Sequence, residues 1–367
     1  MTVRVLFAGG GTGGHLFPAI AIAERLRDFS DVEIWFVGTK GKIESRVVPQ
    51  LGYTFKSIWI GGLVRGMKLS NLLIPIKVIV SILQSLKLVM TFRPHAVVGT
   101  GGYVAGPVCA AAVMTRTPII LQEHNSYPGI VTRIFAPFAR EVHIAFEASR
   151  KYFRNQKNLF LTGSPVRKLS RFSREESLSY FGLSTERKTL FVTGGSAGAV
   201  GLNSAVLKVV DELIEKNYQL IWQTGSIDFD RVRSSQEKHL DFVSVNKFID
   251  KIEYAYSAAD VVVCRAGATT IAELIQFELP ALIVPYPYAA ANHQVENAKA
   301  LTECNAAVMV EENQIEEKFR TELINLISNP EKLIEMRENL KKLQKGDPAL
   351  TIAKSVIKIS GENAKGF

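Results

Sequence analysis

Cysteines and targeting signals are scarce in this chain of 367 residues. Its three cysteines, Cys109, Cys264 and Cys304, are spaced as neither a metal-binding pattern nor a disulfide framework. The first residues do not read as a secretory signal, because Arg4 falls inside the first apolar run. Both absences predict a protein of a reducing, cytoplasmic compartment.

Acidic residues are missing from a long part of the first half. No Asp or Glu stands between Glu44 and Glu123, and the chain carries a net charge of +9. A basic half predicts nucleic acid, anionic lipid or a polyanionic substrate as partner, although a merely basic surface has the same composition. Nucleic-acid binding would need aromatic side chains between the basic ones. The neighbours here are aliphatic, so we predict no nucleic-acid partner.

The acid-free part contains a strongly apolar segment, residues 69–92. Its polar side chains share about half the circumference of a helix: Lys77, Ser81, Gln84, Ser85 and Lys87. We interpret the segment as too short and too charged to span a bilayer. A helix lying in the membrane interface and a core helix with a wide apolar face both remain open on the residues alone.

A glycine-rich loop follows the first predicted strand. Val3–Phe7 is typical of a buried parallel strand, Gly9–Gly14 holds five glycines around Thr12, and Ala19–Leu26 is rich in helix formers. Such a loop lets the backbone approach a ligand, and the helix N-terminus offers N–H groups to an anion. Neither task requires the imidazole of His15. Because the helix dipole disfavours its protonation, we predict that His15 is a neutral general base.

The same loop also fits the dinucleotide pattern G-x-G-x-x-G through Gly9, Gly11 and Gly14. A nicotinamide site would place an acidic residue at the end of the next strand to hold the ribose. That strand, Glu33–Val37, runs into Gly38-Thr39-Lys40 without one. The missing acid disfavours an NAD-dependent oxidoreductase. A loop that is glycine-rich only for tight packing is a further alternative.

Strand, loop and helix alternate along the rest of the chain, which predicts α/β domains with parallel sheets. Glycine-rich or polar segments follow two more strands of the first half, at Gly99–Pro107 and Glu123–Ser126. Ligands bind at the carboxyl ends of such strands, so these segments should meet at one edge. Gly163–Arg167 resembles a domain junction, and the strand and glycine loop recur at Thr189–Ala199.

The last block of motifs begins with a predicted strand, Asp260–Cys264, followed by a helix from about Ile271. Glu273 stands three residues after Thr270, a spacing that also fits a helix capping box. Its plainer interpretation is therefore structural. A further strand, Leu279–Tyr286, runs into a polar loop that opens a helix.

Taken together, these motifs resemble the MurG glycosyltransferases of bacterial cell-wall synthesis. The matching segments are Gly9–His15, Gly99–Pro107, Glu123–Asn125, Gly163–Arg167, Gly194–Ala199, Cys264–Glu273 and Pro285–Asn297. The resemblance implies an α/β protein of the GT-B fold, with two Rossmann-like domains whose parallel sheets face across a cleft. It implies an acceptor- and membrane-binding domain, residues 1–163 with a C-terminal helix at about 347–367, and a UDP-sugar donor domain, residues 164–346.

The activity that the resemblance implies is an inverting, metal-independent transfer without a cofactor. N-acetylglucosamine would pass from UDP-N-acetylglucosamine to the C4 hydroxyl of the muramoyl sugar of lipid I, giving lipid II for peptidoglycan synthesis. His15 would be the catalytic base. The enzyme would be cytoplasmic and peripheral on the inner face of the plasma membrane, where it meets anionic lipid. Proteins of cell-wall synthesis and cell division are its candidate protein partners.

The resemblance also assigns binding residues. For UDP-N-acetylglucosamine they are Thr12, Gly13, Gly14, Asn125, Arg167, Ser196, Ile249, Ala268, Thr269, Thr270, Ile271, Ala272, Glu273, Gln294 and Asn297. Among them, Ser196 and Arg167 would lie at the diphosphate, and the main chain at Ile249 would read the uracil edge. Glu273 would accept from both ribose hydroxyls, because a carboxylate has two oxygens for a vicinal diol. Gln294 and Asn297 would reach the sugar hydroxyls.

Two more sets complete the expected site. The acceptor diphosphate would meet Gly13, Gly14, Gly101, Gly102 and Tyr103. The membrane patch would consist of Leu72, Leu73, Ile76, Ile79, Leu83, Lys77, Lys87, Arg65 and Lys68. Anionic lipid attracts such basic segments by about 1 kcal/mol per Lys or Arg near the surface.

Two related activities remain as alternatives. One is a glycosyltransferase of the same fold with diacylglycerol or a small molecule as acceptor. The other is a UDP-sugar epimerase of the same architecture, which would need acidic catalytic residues where these loops carry His15. The role of His124 is left open.

Overall fold

The computed structural model describes residues 2–29, 31–61, 74–166, 169–195, 198–289 and 292–364. The chain divides into two compact units. Unit 1 comprises Met1–Lys168 and Lys345–Phe367, and unit 2 comprises Leu169–Gln344.

Unit 1 alternates strands and helices, as the sequence predicts. Its strands are β1 (Val3–Gly9), β2 (Val32–Gly38), β3 (Thr54–Ser57), β4 (Ala96–Gly101), β5 (Ile119–Glu123), β6 (Glu141–Ile144) and β7 (Leu159–Leu161). Its helices are α1 (Gly13–Arg27), α2 (Ile43–Gln50), α3 (Ile74–Phe92), α4 (Gly102–Met114), α5 (Ile130–Phe135) and, from the end of the chain, α15 (Pro348–Ala364). Every residue of β4 and β5 is buried, which explains why these strands read as continuous apolar runs rather than alternating ones.

The sheet of unit 1 is parallel throughout, in the order β3-β2-β1-β4-β5-β6-β7. The strand order reverses between β1 and β4, and open parallel sheets bind ligands outside the carboxyl ends at such a switch point. The two glycine segments of the first half, Gly9–Gly14 and Gly101–Gly102, follow these two strands. The predicted meeting of these segments at one edge is therefore correct.

Unit 2 repeats this arrangement. Its strands are β8 (Lys188–Thr193), β9 (Tyr218–Gln223), β10 (Val243–Asn246), β11 (Val261–Cys264), β12 (Ala281–Ile283) and β13 (Val308–Met309). Its helices are α6 (Arg174–Phe181), α7 (Val200–Leu207), α8 (Val210–Glu215), α9 (Phe229–Ser235), α10 (Ile252–Ala258), α11 (Ala268–Phe277), α12 (His293–Thr302), α13 (Ile315–Ile327) and α14 (Pro330–Leu343). The parallel sheet has the order β10-β9-β8-β11-β12-β13, so its switch point lies between β8 and β11.

Helix α15 completes the core of unit 1 although it comes last in the chain. It packs on α1, and its Ile352, Ala353 and Val356 are fully buried in a cluster with Phe7 and Leu16. Burial of these side chains binds the end of the described chain to the helix that follows the first glycine loop.

Candidate active site

His15 lies in the first turn of α1, because that helix begins at Gly13. The glycines themselves therefore form the helix start, several residues earlier than the helix-forming residues suggest. Thr12 precedes the helix in an extended conformation, and its Oγ1 lies 2.9 Å from Nδ1 of His15. This contact orients the imidazole relative to the loop.

The second glycine segment packs directly against His15. Gly101 has φ +100°, and a Cβ built there would lie 2.5 Å from Cδ2 of His15. Gly102 has φ +77°, and a Cβ there would lie 2.5 Å from the carbonyl oxygen of Gly10. Both positions require glycine for backbone conformation and for space. Two loops that the sequence places 90 residues apart thus form one surface around the imidazole.

The loop after β5 brings Asn125 and His124 to the same edge. Glu123 is buried, and its carboxylate accepts hydrogen bonds from the Asn125 N–H (3.0 Å), the Asn125 side-chain amide (3.2 Å) and the Gly129 N–H (2.9 Å). The rings of His124 and His15 lie 5.1 Å apart at 75°. The carboxylate therefore fixes the loop that carries Asn125, and His124 packs edge-on against the predicted base.

Glu44 binds the backbone of the first glycine loop, a role that was not predicted from the sequence. It is 1% exposed, although it stands in the first turn of α2. Its carboxylate accepts from the N–H groups of Gly11 and Thr39, both at 3.0 Å. The acid that a nicotinamide site would place after β2 is absent, and a nearby acid binds the loop backbone instead. A lone acid in the helix start after Gly38 was the available signal.

The contact with Thr12 determines what His15 can do. If Nδ1 carries the proton and donates to Thr12 Oγ1, Nε2 has the lone pair that a general base needs. The arrangement can therefore accept a proton from a hydroxyl group placed at the carboxyl edge of β1 and β4.

In unit 2, the described residues of the segment after β8 include two glycines with positive φ. Gly195 has φ +82°, and its N–H donates to Thr193 Oγ1 at 3.1 Å. Gly198 has φ +79°, and a Cβ there would lie 2.2 Å from the carbonyl oxygen of Thr224. Ser196 and Arg167, which we predict at the diphosphate, lie outside the described residues.

Ile249, the predicted reader of the uracil edge, lies near that loop. Its side chain is buried, and its N–H donates to Oε1 of Gln223 at 2.9 Å. Gln223 in turn donates to Thr193 Oγ1 (3.2 Å) and to the carbonyl of Gly195 (3.1 Å). Gln223 was not predicted from the sequence. A polar residue that ends the buried strand β9 and precedes Thr224-Gly225 was the available signal.

Helix α11 corrects the interpretation of Glu273. The helix begins at Ala268 with Gly267 as its N-cap, so the predicted start at Ile271 is wrong. Thr270 is therefore inside the helix, and the capping-box explanation of Glu273 is wrong as well. Tyr256 instead donates to Oε2 of Glu273 at 2.8 Å. Burial and the negative charge of Glu273 raise the pKa of Tyr256, which keeps this donor protonated.

The other residues predicted to bind the nucleotide lie in the segments that follow strands β11 and β12. Ala268, Thr269, Thr270, Ile271 and Ala272 form the first turns of α11, with the Ile271 side chain in the core. Gln294 accepts from the N–H of Tyr286 at 2.9 Å, and Asn297 is buried and donates to the carbonyl of Ala266 at 3.2 Å. Their predicted contacts with sugar hydroxyls stay predictions.

One Asp-x-Asp triplet occurs in the chain, Asp228-Phe229-Asp230. Asp228 is buried, and Asn203 and Arg231 both donate to its carboxylate. The hydrogen bond from Arg231, followed by the one from Asn203, lowers the pKa of Asp228 despite its burial. Among the residues that the structure describes, no three His, Cys, Asp or Glu side chains are grouped as metal ligands.

Helix α3 presents its apolar side outward. Ser81 and Ser85 are buried, and the helix packs on α4, whereas Ile79 and Leu83 are each 60% exposed. By length and composition alone α3 could cross a membrane, so length and charge do not by themselves exclude a membrane span. Of the predicted membrane patch, Ile76 is also exposed, and Lys77 and Lys87 lie on the same helix. Leu72, Leu73, Arg65 and Lys68 lie outside the described residues.

Comparisons with known proteins identify the class. The Glycosyltransferase family 28 N-terminal domain matches residues 5–144, and the Glycosyltransferase family 28 C-terminal domain matches residues 189–352. The crystal structure of MurG from Acinetobacter baumannii superposes with a TM-score of 0.79 at 23% identity, covering 97% of this chain and 99% of that one. The fold is therefore that of a GT-B glycosyltransferase, and the predicted fold class is confirmed.

Two relatives narrow the family further. The UDP-N-acetylglucosamine–N-acetylmuramyl-(pentapeptide) pyrophosphoryl-undecaprenol N-acetylglucosamine transferase of Prosthecochloris aestuarii is 40% identical over 96% of this chain and 97% of its own length. The transferase of the same name from Chlorobaculum tepidum is 41% identical over 98% of this chain and 100% of its own. The chain belongs to the MurG family of glycosyltransferases, and the predicted family is confirmed.

Proposed function

We propose that this enzyme transfers N-acetylglucosamine from UDP-N-acetylglucosamine to the C4 hydroxyl of the muramoyl sugar of lipid I, with inversion, giving lipid II. The observation that carries the proposal is the imidazole of His15, which contacts Thr12 and lies close to Gly101 at the switch point of unit 1 in a chain of this family. That position suits a base for an acceptor hydroxyl.

The first step of the mechanism is proton removal from the acceptor. Nε2 of His15 takes the proton of the C4 hydroxyl as its oxygen attacks the anomeric carbon of the donor. The bond from that carbon to the UDP oxygen breaks on the opposite side, which inverts the centre. The glycine loops at Gly13–Gly14 and Gly101–Gly102 would hold the acceptor diphosphate with backbone N–H groups. Tyr103 follows at the start of α4.

Unit 2 would hold the donor and stabilise the leaving UDP. The glycine loop after β8, with Ser196 and Arg167, would offset the negative charge of the diphosphate. Glu273, oriented by Tyr256, would accept from the ribose hydroxyls. Gln294 and Asn297 would contact the sugar hydroxyls. No step is assigned to a metal ion.

A direct test is transfer of radiolabel from UDP-N-acetylglucosamine into the lipid fraction in the presence of lipid I. We expect the parent enzyme to label the lipid and His15→Ala to lose most of its turnover while binding UDP as tightly as the parent. Unchanged turnover in His15→Ala would remove His15 from the mechanism. Binding of the donor without labelling of lipid I would point to another acceptor or to an epimerase.

We also propose that α3 rests on the inner face of the plasma membrane. Its exposed Ile79 and Leu83, together with Lys77 and Lys87, combine apolar area with positive charge, which suits anionic lipid.

Sedimentation with vesicles containing anionic lipid tests the membrane contact of α3: Leu83→Asp should reduce binding to the vesicles. The control is Ile334→Asp, at an equally exposed apolar residue of α14. Equal loss of binding in both variants would argue against a specific patch. Cell-wall synthesis and division proteins remain candidate partners.

A further inference from the structure

Gln223 joins the two parts of unit 2 that would bind a nucleotide. It ends β9, in register with Thr193 at the end of β8 and Asn246 at the end of β10. It is 2% exposed, so the side chain lies within the protein. From there its amide reaches the glycine loop on one side and the Phe248–Ile249 peptide on the other.

The amide group of Gln223 uses its donors and its acceptor in opposite directions. Nε2 donates to Thr193 Oγ1 at 3.2 Å and to the Gly195 carbonyl at 3.1 Å. Oε1 accepts from the Ile249 N–H at 2.9 Å. A primary amide has two N–H donors and one oxygen, so this set of partners fits its chemistry without a ligand. Gln223 is therefore suited to position other groups rather than to touch substrate.

On the loop side, Gln223 controls where a carbonyl oxygen points. The Gly195 carbonyl accepts from both Gln223 and the Gly198 N–H, which lies 3.1 Å away. Those bonds turn the oxygen into the protein. An anion-binding turn needs its N–H groups toward the anion and its carbonyl oxygens away from it. The amide thus holds the Gly195 carbonyl oxygen inside the protein, where it would not repel a bound diphosphate.

On the other side, Gln223 controls which main-chain group faces a base. The N–H of Ile249 points at Gln223, and in a planar trans peptide the carbonyl of the same unit, that of Phe248, points the opposite way. A carbonyl oxygen pairs with the N3–H of uracil. Cytosine has an unprotonated N3 in that place, which a carbonyl oxygen repels. At a base bound against that carbonyl, the orientation of one peptide would therefore distinguish the two pyrimidines.

We propose that Gln223 is a positioning residue that fixes the Phe248–Ile249 peptide for uracil and turns the Gly195 carbonyl away from the diphosphate, and so determines the preference for UDP over CDP. The inference rests on the proposed UDP-sugar donor. It assigns pyrimidine selectivity to a buried side chain that need not contact the nucleotide.

Two substitutions separate the two tasks. Gln223→Met keeps the approximate length and removes all three hydrogen bonds. Gln223→Glu keeps an acceptor for the Ile249 N–H but loses the donors to Thr193 and Gly195, and it sets a negative charge near the diphosphate. Gln223→Met should therefore lose selectivity. Gln223→Glu should retain selectivity and bind both nucleotides more weakly.

The measurement is titration calorimetry with UDP and with CDP on the full-length protein. We expect the UDP:CDP affinity ratio to fall about tenfold or more in Gln223→Met, since orienting one hydrogen-bonding group is worth about that factor. The ratio in Gln223→Glu should stay within about twofold of the parent while both affinities fall. A melting curve of each variant confirms that it is folded at the assay temperature.

Gln219 supplies a matched control on the same strand. It is buried, donates to Ser184 O and Thr189 Oγ1, and accepts from the Ser184 N–H. Gln219→Met should lower stability and leave the nucleotide ratio unchanged, because it lies four residues from the strand end. If the UDP:CDP affinity ratio of Gln223→Met equals that of the parent, or if the ratio falls equally in Gln219→Met, the role of Gln223 is overturned and the proposed donor is not. A parent protein that does not bind UDP overturns the proposed donor as well.

Discussion

Removing the carboxylate of Glu44 should release the glycine loop that carries the predicted base. The side chain is 1% exposed and accepts from the Gly11 and Thr39 N–H groups, both at 3.0 Å. A hydrogen bond to a charged group contributes about 1.5–3 kcal/mol, so loss of both in Glu44→Ala costs about 3–6 kcal/mol before the loop relaxes. Glu44→Gln keeps one acceptor oxygen but turns its NH₂ toward the other donor. We expect about half that cost.

Amide hydrogen exchange measures the effect at the two bonds themselves, since each N–H reports its own opening free energy. Protection at Gly11 and Thr39 should fall in the order parent, Glu44→Gln, Glu44→Ala, while amides of β8 in unit 2 stay protected. Turnover should fall in the same order, because His15 stands at the end of this loop. Affinity for UDP should change little, since the residues proposed to hold the nucleotide belong to unit 2.

Glu24 offers the control, because it is an exposed glutamate on α1. Glu24→Ala removes a carboxylate from the same helix as His15 without touching the loop, and its exchange and turnover should match the parent. The reasoning is refuted if Glu44→Ala protects Gly11 and Thr39 as well as the parent does. It is also refuted if turnover stays constant while that protection is lost.

Two further predictions concern backbone space and pH. Gly101→Ala should reduce turnover by roughly 100-fold, the scale of a 1 Å displacement of a catalytic group, because its Cβ would lie 2.5 Å from the His15 ring. Gly52→Ala, at φ +75° with nothing within 4 Å, carries similar backbone strain and should keep its turnover. For pH, Arg231 holds the pKa of Asp228 below its usual value. The stability this adds is present above about pH 4 and is lost as the pH falls through the lowered pKa. In urea unfolding, the free energy of unfolding should fall less between pH 6 and pH 3 in Asp228→Asn than in the parent. Equal falls would contradict the assignment.

Short sequence patterns correctly predicted the units in which a strand, a glycine turn and a helix follow one another along the chain. The strand–glycine–helix units at Gly9–His15 and Thr189–Ala199 are correct because each follows from a buried strand, a turn that needs positive φ, and a helix start. The boundary of α11 was misplaced because Gly267 caps it without a side-chain hydrogen bond. A Ser or Thr three residues before an acidic residue therefore does not by itself locate the start of a helix.

The supporting residues could not be predicted because their partners are distant in sequence. Glu44 lies 33 residues from Gly11, and Gln223 lies 26–30 residues from Ile249 and Thr193. Only the parallel pairing of strands brings them together. Orientation of α3 is a similar case: its serines are buried on a helix that packs on α4, and periodicity along one helix cannot reveal which face the neighbouring helix covers.

The packing of α15 on α1 has a consequence for synthesis on the ribosome. Ile352, Ala353 and Val356 fill the same cluster as Phe7 and Leu16, so the part of unit 1 that is made before unit 2 cannot close its core until α15 has been made. Unit 2 is continuous from Leu169 to Gln344 and can fold as it emerges. The domain translated second would therefore mature first. Until α15 emerges, the first part of unit 1 would expose apolar surface along α1, and chaperones bind surface of this kind.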